Sequence, residues 1–356
     1  MDTLLLTGDD VHQIARRVGL DALMDALIAR LTEAFEAYDA ATTHIPERDG
    51  LTYTAPVTGL LEWMPCRQGT EATVKTVGYH PENPARLGVP TILSTVSGYD
   101  TESGHLRCLM DGTLLTALRT GAASAVATDR LAAPDAETVG LIGAGAQAVT
   151  QLHALLRVRD VRRVLAYDTH PATLASFADR VAAIAPDLPI EAAGPEAVVA
   201  ASDILCTATS VEIGGGPVFA ETAALPPHAH VNAVGSDFPG KVELPAALLR
   251  RALVCPDFRA QAVREGECQQ LAPEAIGPAL YEVLQDPGAY AEAWRGLTVF
   301  DSTGWALEDH VALGLFVDYA TAWEIGTRLP IEAIADDPHA PYAFARRPAA
   351  LAALAS

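Results

Sequence analysis

The first third of the chain carries apolar positions in both helical and strand-like rhythms. Between residues 20 and 35 apolar side chains recur every three or four positions, which predicts an amphipathic helix. Shorter apolar runs at 60–64, 72–77 and 91–99 are broken by Gly, Pro and Asn and predict strands. The Ala-rich stretch 111–133 predicts one helix whose small side chains allow close packing against a neighbour.

After Glu137 strand-like runs alternate with helical ones. The strand-like runs are 139–142, 164–167, 204–208, 230–234, 253–255 and 297–300. Such alternation predicts a parallel sheet covered on both faces, so the fold class is α/β. After about Asp309 the pattern is helical again, and we expect this tail to pack on the first part of the chain. The predicted domains are therefore 133–309 and a smaller, discontinuous α+β domain formed by 1–132 and 310–356.

Composition narrows the classes of function. The 356 residues carry a formal charge of −21, which argues against binding to nucleic acid or to an anionic membrane. The opening MDTLLLTGDD lacks the pattern of a signal peptide, and no apolar run reaches the roughly 18 residues of a membrane span. The five cysteines form no C-x-x-C pair, and His80, His105 and His310 are not spaced like metal ligands. We therefore expect a cytoplasmic protein with reduced cysteines and no metal site.

Residues 143–148, GAGAQA, fit the dinucleotide-binding pattern G-x-G-x-x-A. The context agrees, because a predicted strand precedes the glycines, a helix follows, and Asp168 ends the next strand. Gly143 and Gly145 allow backbone N–H groups to approach a pyrophosphate at the helix N-terminus. Asp168 would accept hydrogen bonds from the adenosine ribose and repel a 2′-phosphate, which favours NAD over NADP. The alternative role for Asp168 is to cap the following helix.

Candidate acids follow the strands of the predicted parallel sheet. Asp237 lies just past a strand end in HVNAVGSDFPGK, where it is either a turn residue or a general acid/base that faces the nicotinamide. Glu265 and Glu267, in REGECQQL, are candidates for ligand binding, but we favour a solvated helix start for both.

Isolated charges in apolar surroundings mark a second group of candidates. Arg119 lies among small apolar residues, and a buried guanidinium requires an anion. That anion is either a structural carboxylate or the carboxylate of a substrate. Lys75, in an apolar strand, raises the same choice, while Glu62 is a third isolated charge and Arg48 a fourth in a polar loop. Two cations and a carboxylate together suit an amino acid that bears a second amine.

Several of these segments together resemble the ornithine cyclodeaminase/mu-crystallin family. They are LEWMP, VKTVGYHPENPARLGVPT, LLTALRTGAASAVA, GLIGAGAQAVTQLHAL, VNAVGSDFPGKVEL, EGECQQL and VFDSTGWALED. They occur in family order between about residues 48 and 310. The forms KTVGYHPENPARLG and FDSTGWALED are most similar to the members of the family that cyclise lysine.

The resemblance implies an NAD-binding, Rossmann-like domain and a smaller domain that binds substrate and forms a homodimer. By motif position Lys75 and Arg119 hold the substrate carboxylate, with Arg48 as a further ligand. Asp237 is implied as the catalytic acid/base, and Glu62 is implied to lie near the amines. The implied cofactor-binding residues are Thr91, Gly143, Gly145, Ala146, Gln147, Asp168, Thr207, Thr209, Val234, Gly235, Ser236, Lys241 and Ser302.

The implied reaction converts L-lysine to L-pipecolate and ammonia through transient NAD-dependent oxidation at Cα, ring closure by the distal amine and return of the hydride. Ornithine, which would give proline, stays open as the substrate, because one methylene is worth only ~1–3 kcal/mol in an apolar pocket. A ketimine reductase or amino acid dehydrogenase that consumes NAD(P)H is a second alternative. A non-catalytic, crystallin-like binding protein is the third.

Overall fold

The computed structural model describes residues 1–335 and 337–345 and places them in two β-sheets linked by long helices. The strands are β1 (Thr3–Leu6), β2 (Thr43–His44), β3 (Asp49–Tyr53), β4 (Gly59–Gln68), β5 (Glu71–Tyr79), β6 (Ile92–Asp100), β7 (Leu106–Asp111), β8 (Thr138–Ile142), β9 (Arg163–Tyr167), β10 (Ile190–Ala192), β11 (Ile204–Thr207), β12 (His230–Ala233), β13 (Leu253–Pro256), β14 (Thr298–Asp301) and β15 (Thr327–Leu329). The helices are α1 (Gly8–Val18), α2 (Leu20–Glu36), α3 (Asn83–Leu87), α4 (Thr113–Leu131), α5 (Ala146–Val158), α6 (Pro171–Ala175), α7 (Phe177–Val181), α8 (Pro195–Ala201), α9 (Ala246–Leu249), α10 (Arg259–Ala262), α11 (Leu280–Gln285) and α12 (Ala306–Trp323).

The first sheet is mostly antiparallel and has the strand order β15-β1-β7-β6-β5-β4-β2, with β3 also paired to β4. Strands β1 and β7 form its parallel pair. The strands predicted at 60–64, 72–77 and 91–99 are confirmed as β4, β5 and β6. Because side chains alternate across a strand, each of these strands has one row of side chains that faces the helices and a second row that faces away from them.

Helices α4 and α12 pack on one face of this sheet, and α2 packs against both of them, so that the three helices build its core. The predicted amphipathic helix is confirmed as α2, which buries Leu23, Met24, Leu27, Leu31 and Phe35. Each such side chain stabilises the fold by about 1.5–3 kcal/mol relative to exposure. The predicted Ala-rich helix is α4, whose small residues pack against both α2 and α5. Helix α4 thereby connects the cores of the two sheets.

The second sheet is entirely parallel, with the strand order β10-β9-β8-β11-β12-β14-β13. All six predicted strands are present, and the short strand β10 was not predicted. The direction of chain progression reverses at β8. From β8 the chain passes to β9 and β10 on one side of the sheet, and β11 and β12 then follow on the other side. Ligands of such sheets bind beyond the carboxyl ends of the strands at this reversal. The predicted α/β class, with a Rossmann-like sheet beside a smaller α+β part, is confirmed.

The chain returns to the first sheet after β14. Helix α12 packs against β4, β5 and β6, and β15 pairs with β1. The tail therefore packs on the first part of the chain, as its pattern indicates, although α12 begins at Ala306 rather than after Asp309. The proposed domain limits of 132/133 and 309/310 stay predictions, and Asp336 and residues 346–356 lie outside the described part.

Two further expectations concern burial. None of the helices within the described residues is long and apolar enough to cross a membrane. All five cysteines are free and buried, in agreement with their interpretation as reduced packing residues.

Candidate active site

The glycine turn between β8 and α5 leaves open space where a dinucleotide would lie. Gly143 has a positive φ of 93°, and a Cβ there would stand 2.5 Å from the carbonyl oxygen of Ala208, so only glycine fits. At Gly145, the N-cap of α5, a Cβ would meet nothing within 4 Å. The turn therefore presents unobstructed backbone to the space in front of the helix N-terminus, as pyrophosphate binding requires.

We predict that Gly145→Val weakens NAD binding about 10- to 100-fold, because the new side chain fills the space required by the pyrophosphate. Isothermal titration calorimetry with NAD+ measures this. Gly194→Val is the matched control, because Gly194 is also an extended N-cap residue, of α8, with nothing within 4 Å of its Cβ position. Equal NAD affinities for the two variants would contradict this placement of the pyrophosphate.

Asp168 follows β9 and lies against the glycine turn. One carboxylate oxygen accepts a 2.8 Å hydrogen bond from the Ala144 N–H, and the other accepts one of 2.8 Å from the His170 N–H. The second bond closes a turn before α6, whose N-cap is His170 and receives no side-chain capping bond, so Asp168 does not fill the alternative role of helix cap. The guanidinium of Arg180, which the sequence reasoning missed, donates to the carbonyl oxygens of Ala144 and Gly145 and fixes the same turn.

Three predicted cofactor residues converge on a carboxylate that was not predicted. Glu243 is buried and accepts hydrogen bonds from the Thr207 hydroxyl, from the N–H and hydroxyl of Thr209 and from the Gly235 N–H, at 2.6–2.9 Å. These donors come from the end of β11 and from the segments that follow β11 and β12. Glu243 thus fixes both segments beside the dinucleotide turn. The hydroxyl of Ser236 donates to the Lys241 carbonyl and is similarly committed to the loop.

A cavity of about 90 Å³ lies between the carboxyl ends of the parallel strands and the helical face of the first sheet. It is lined by Arg48, Leu60, Glu62, Met64, Lys75, Val77, Tyr79, Ile92, Thr116, Arg119, Thr120, Gln147, Val234, Asp237, Lys241, Ser302, Thr303 and Gly304. All five predicted catalytic and substrate-binding residues are therefore brought together, along with the predicted cofactor residues Gln147, Val234, Lys241 and Ser302.

Two buried cations in this cavity contact carboxylates on α12 and share one of them, Asp309. Lys75, from β5, places Nζ 2.9 Å from each carboxylate oxygen of Asp309. Arg119, from α4, donates to Glu308 at 2.7 Å, and its Nε lies 3.1 Å from Asp309. Burial, helped by the charge of Arg119 and opposed by that of Asp309, lowers the pKa of Lys75 to about 8. Structural carboxylates are thus present for both cations.

A second charged group closes the other side of the cavity. Arg48 donates a 2.8 Å hydrogen bond to the carbonyl oxygen of Asp237, lies 2.5 Å from the Glu265 carboxylate and stands 3.9 Å from that of Glu62. Burial raises the pKa of Glu62 and outweighs the opposing effect of Arg48. The expected solvated helix start at Glu265 and Glu267 is wrong, because both are buried. Glu267 instead accepts hydrogen bonds from two backbone N–H groups, those of Glu243 and Leu244.

Asp237 is the accessible acid of the site, with 38% of its side chain exposed. Its carboxylate lies 3.0 Å from the ammonium of Lys241, which also lies 4.4 Å from the ring centre of Tyr79. Burial alone would lower the pKa of Lys241, but Asp237 and Tyr79 raise it above its ordinary value. Lys241 is therefore held as a cation beside the carboxylate.

Not every predicted cofactor residue lines the cavity. The residues outside its lining are Thr91, Gly143, Gly145, Ala146, Asp168, Thr207, Thr209, Gly235 and Ser236. Most of them surround the open dinucleotide turn. Thr91 precedes β6, and its carbonyl oxygen accepts a hydrogen bond from the His80 N–H. Among the residues missed by sequence reasoning, Glu308 and Asp309 had a signal in the sequence, since two adjacent acids follow an apolar strand in VFDSTGWALED.

The residues present fit a bound NAD. Gly145 leaves the space in front of α5 open, and the N-terminus of this 13-residue helix points backbone N–H groups into that space. The hydroxyl of Ser302 is buried, lines the cavity and makes no hydrogen bond within the described part of the chain. A buried hydroxyl without a partner is costly, so a ligand atom is expected there.

The fold and site together define a dinucleotide-binding α/β protein with a buried, cation-lined cavity for a small acid. The family model described as the ornithine cyclodeaminase/mu-crystallin family matches residues 9–323. The chain belongs to this family, as its motifs indicate.

Named relatives cover nearly the whole length of the chain. The L-lysine cyclodeaminase of Streptomyces rapamycinicus is 43% identical, over 97% of this chain and 100% of its own. A solved lysine cyclodeaminase, whose structure describes recognition of L-lysine, L-ornithine and L-2,4-diaminobutyric acid, has a TM-score of 0.91 at 50% identity and covers 96% of this chain and 99% of its own. An archaeal alanine dehydrogenase dimer with bound NAD has a TM-score of 0.83 at 29% identity and covers 93% of this chain and 100% of its own.

Proposed function

We propose that the protein is an L-lysine cyclodeaminase, which converts L-lysine to L-pipecolate and ammonia. The observation that carries the proposal is the cavity itself, where Arg48, Glu62, Lys75, Arg119 and Asp237 meet beside the dinucleotide turn. The full-length similarity to the S. rapamycinicus enzyme supports lysine as the substrate. Bound NAD+ supplies reversible hydride chemistry at Cα of the amino acid, so the reaction involves no net oxidation.

The cations of the cavity fix the substrate carboxylate in this proposal. Lys75 and Arg119 bind it from the first sheet and α4, while Arg48 approaches from the opposite side. Fixing one end of the flexible amino acid brings its distal amine towards Cα. Such orientation can replace up to ~7–11 kcal/mol of the barrier in ideal cases.

Asp237 moves the proton in this proposal. The distal amine must be neutral to attack carbon, yet an unperturbed lysine amine has a pKa of about 10.4. The Asp237 carboxylate accepts that proton and can later return one to the leaving ammonia. The Lys241 ammonium lies 3.0 Å from this carboxylate, on the side of the cavity that Asp237 lines. Glu62 faces the same cavity and supplies a carboxylate for the amines.

NAD rather than NADP is proposed as the cofactor. Asp168 stands beside the glycine turn, where its charge suits ribose hydroxyls and opposes a 2′-phosphate. The NAD-bound structure of the alanine dehydrogenase supports this choice. Titration with both dinucleotides tests it, and tighter binding of NADP+ would contradict it.

The function is tested by incubating the protein with catalytic NAD+ and lysine deuterated at Cα. We expect pipecolate that keeps its deuterium, with no net change of absorbance at 340 nm. Ornithine in a parallel reaction tests the alternative substrate, since the solved lysine cyclodeaminase recognises both amino acids. Loss of the deuterium, or stoichiometric consumption of a reduced cofactor, would favour the reductase or dehydrogenase instead.

The pKa of Lys75 predicts how carboxylate binding depends on pH. Because that pKa is lowered to about 8, the ammonium loses its proton as the pH rises through 8. Hexanoate is a suitable competitive probe, since its carboxylate stays ionised and it has no amine. We expect its inhibition constant against lysine to rise between pH 7.5 and 9.5 and to stay flat in Lys75→Arg. An equal rise in both proteins would remove Lys75 as the cause.

We further propose that the enzyme is a homodimer that pairs through the open face of the first sheet. Leu51, Leu61 and Leu93 are exposed and, with Gly78 between them, form one row across β3, β4, β5 and β6. Trp63 extends this apolar face. The dimeric alanine dehydrogenase supports a second copy as the occupant. Sedimentation of Leu61→Asp as a 37.4 kDa monomer, with a dimeric parent, is the expected result.

The proposed site of action is the cytoplasm. The free, buried cysteines support a reducing compartment.

A further inference from the structure

Two adjacent ion pairs join the two sides of the active-site cleft. Arg48, which precedes β3 of the first sheet, contacts Glu265, which follows α10 beside the parallel sheet. The neighbouring residues Glu47 and Arg264 form the second pair with the charges reversed. Residues 47 and 48 are an acid followed by a base, whereas residues 264 and 265 are a base followed by an acid. Opposite charges therefore meet only when residue 47 lies opposite 264 and residue 48 lies opposite 265.

The two pairs differ in their surroundings. The side chains of Arg48 and Glu265 are only 9% and 7% exposed, whereas those of Glu47 and Arg264 are 47% and 66% exposed. An exposed pair contributes about 0–1 kcal/mol and is screened by salt. Removing one partner of a buried pair leaves an uncompensated charge and has a much larger effect. The inner pair is therefore the one that can fix a side chain of the site.

The position of the Arg48 guanidinium determines the contacts of two atoms, the carbonyl oxygen of Asp237 and its own Nε. Its guanidinium donates to the carbonyl oxygen of Asp237, and so holds the backbone of the acid/base. Its Nε is buried and makes no hydrogen bond within the described residues, although Arg48 lines the cavity. A buried N–H without a partner indicates a ligand acceptor. Both features depend on the guanidinium staying where Glu265 holds it.

We propose that Glu265 is a positioning residue of the reaction: it holds Arg48 across the cleft so that Arg48 meets the substrate carboxylate and fixes the Asp237 backbone. This inference rests on the proposed function. The sequence pattern alone favours a solvated helix start at Glu265, and the roles proposed above for the site do not include it.

The ionisation of Glu265 gives the proposal a signature in pH. Burial raises the pKa of Glu265 to about 7; Arg48 opposes this rise, while Glu62 and Asp237 add to it. Below pH 7 the carboxyl takes up a proton, and the charge that holds Arg48 is lost. The KM for lysine is then expected to rise as the pH falls from 7.5 to 6.

The experiment compares Glu265→Gln with the parent and with Glu47→Gln, the matched control from the exposed pair. In Glu265→Gln we expect the KM for lysine to rise about tenfold, a smaller change in kcat, and loss of the KM rise below pH 7. Glu265→Asp, which keeps the charge, should recover part of the loss. Glu47→Gln should keep KM within about threefold of the parent.

NAD+ titration separates positioning from folding, since a folded Glu265→Gln should keep an NAD+ affinity near the parent value, whereas thermal unfolding should report a lower melting temperature because the buried pair is broken. A parental KM and pH profile in this variant would overturn the proposal, as would an equal loss in Glu47→Gln. If the parent protein makes no cyclic product, the proposed function fails. Calorimetric binding of lysine to the NAD-loaded parent and Glu265→Gln then tests the positioning role by itself, and equal affinities would overturn it.

Discussion

Asp237→Asn is expected to bind NAD+ as tightly as the parent and to lose nearly all turnover of lysine. The substitution preserves the size of the side chain and the backbone carbonyl that accepts from Arg48. It removes the carboxylate that receives the proton of the distal amine. General acid–base catalysis of this kind contributes about 10²- to 10⁴-fold to rate, so kcat should fall within that range.

The measurement is the rate of pipecolate formation at saturating lysine, alongside NAD+ titration. Asp187→Asn is a suitable control, because Asp187 is exposed and does not line the cavity. It should have the parental kcat. Near-normal product formation by Asp237→Asn would remove Asp237 from proton transfer and leave Glu62 as the next carboxylate to test.

Arg119→Lys is expected to raise the KM for lysine about 10- to 100-fold. Lysine retains the positive charge but loses the planar fork with which Arg119 reaches Glu308 and Asp309 at once. The remaining ammonium cannot serve both carboxylates and also hold that of the substrate. Complete removal of the charge would cost about 3–5 kcal/mol of stability, so lysine is the more informative replacement.

Steady-state kinetics with lysine give the KM, and thermal unfolding reports the accompanying change in stability. Arg157→Lys is the matched control, because Arg157 also contacts two carboxylates, Asp21 and Asp25, but on the surface and away from the cavity. It should leave KM unchanged. An unchanged KM in Arg119→Lys would make Arg119 a structural partner of α12 only.

The sequence was sufficient for the parts of the fold that depend on local pattern. Helix α2 follows directly from its apolar spacing, and the parallel strands follow from alternation with helices. The dinucleotide turn was predictable because Gly143 and its flanking strand and helix are adjacent in the chain. The three-residue strand β10 was missed because it is too short to carry a period.

The pairing of the site's charges was not predictable, because which acid meets which cation depends on contacts between distant segments. The requirement that Arg119 have an anion was correct, but Glu308 lies 189 residues away in sequence. The error at Glu265 has the same origin: a glutamate in a polar segment reads as solvated until the fold brings Arg48 against it. Burial of a polar segment by another part of the chain has no local signature.

The pairing of Lys75 and Arg119 with helix α12 also bears on how the polypeptide matures. The two cations leave the ribosome early, while their counter-ions follow 234 residues after Lys75 and 189 after Arg119. At about 5–20 residues per second, the delay is on the order of 10–50 s. Until α12 emerges, the interior between β5 and α4 contains uncompensated charge and must remain hydrated. The strands of the first sheet are thus synthesised early in translation, but water can leave the interior between β5 and α4 only after α12 has been synthesised.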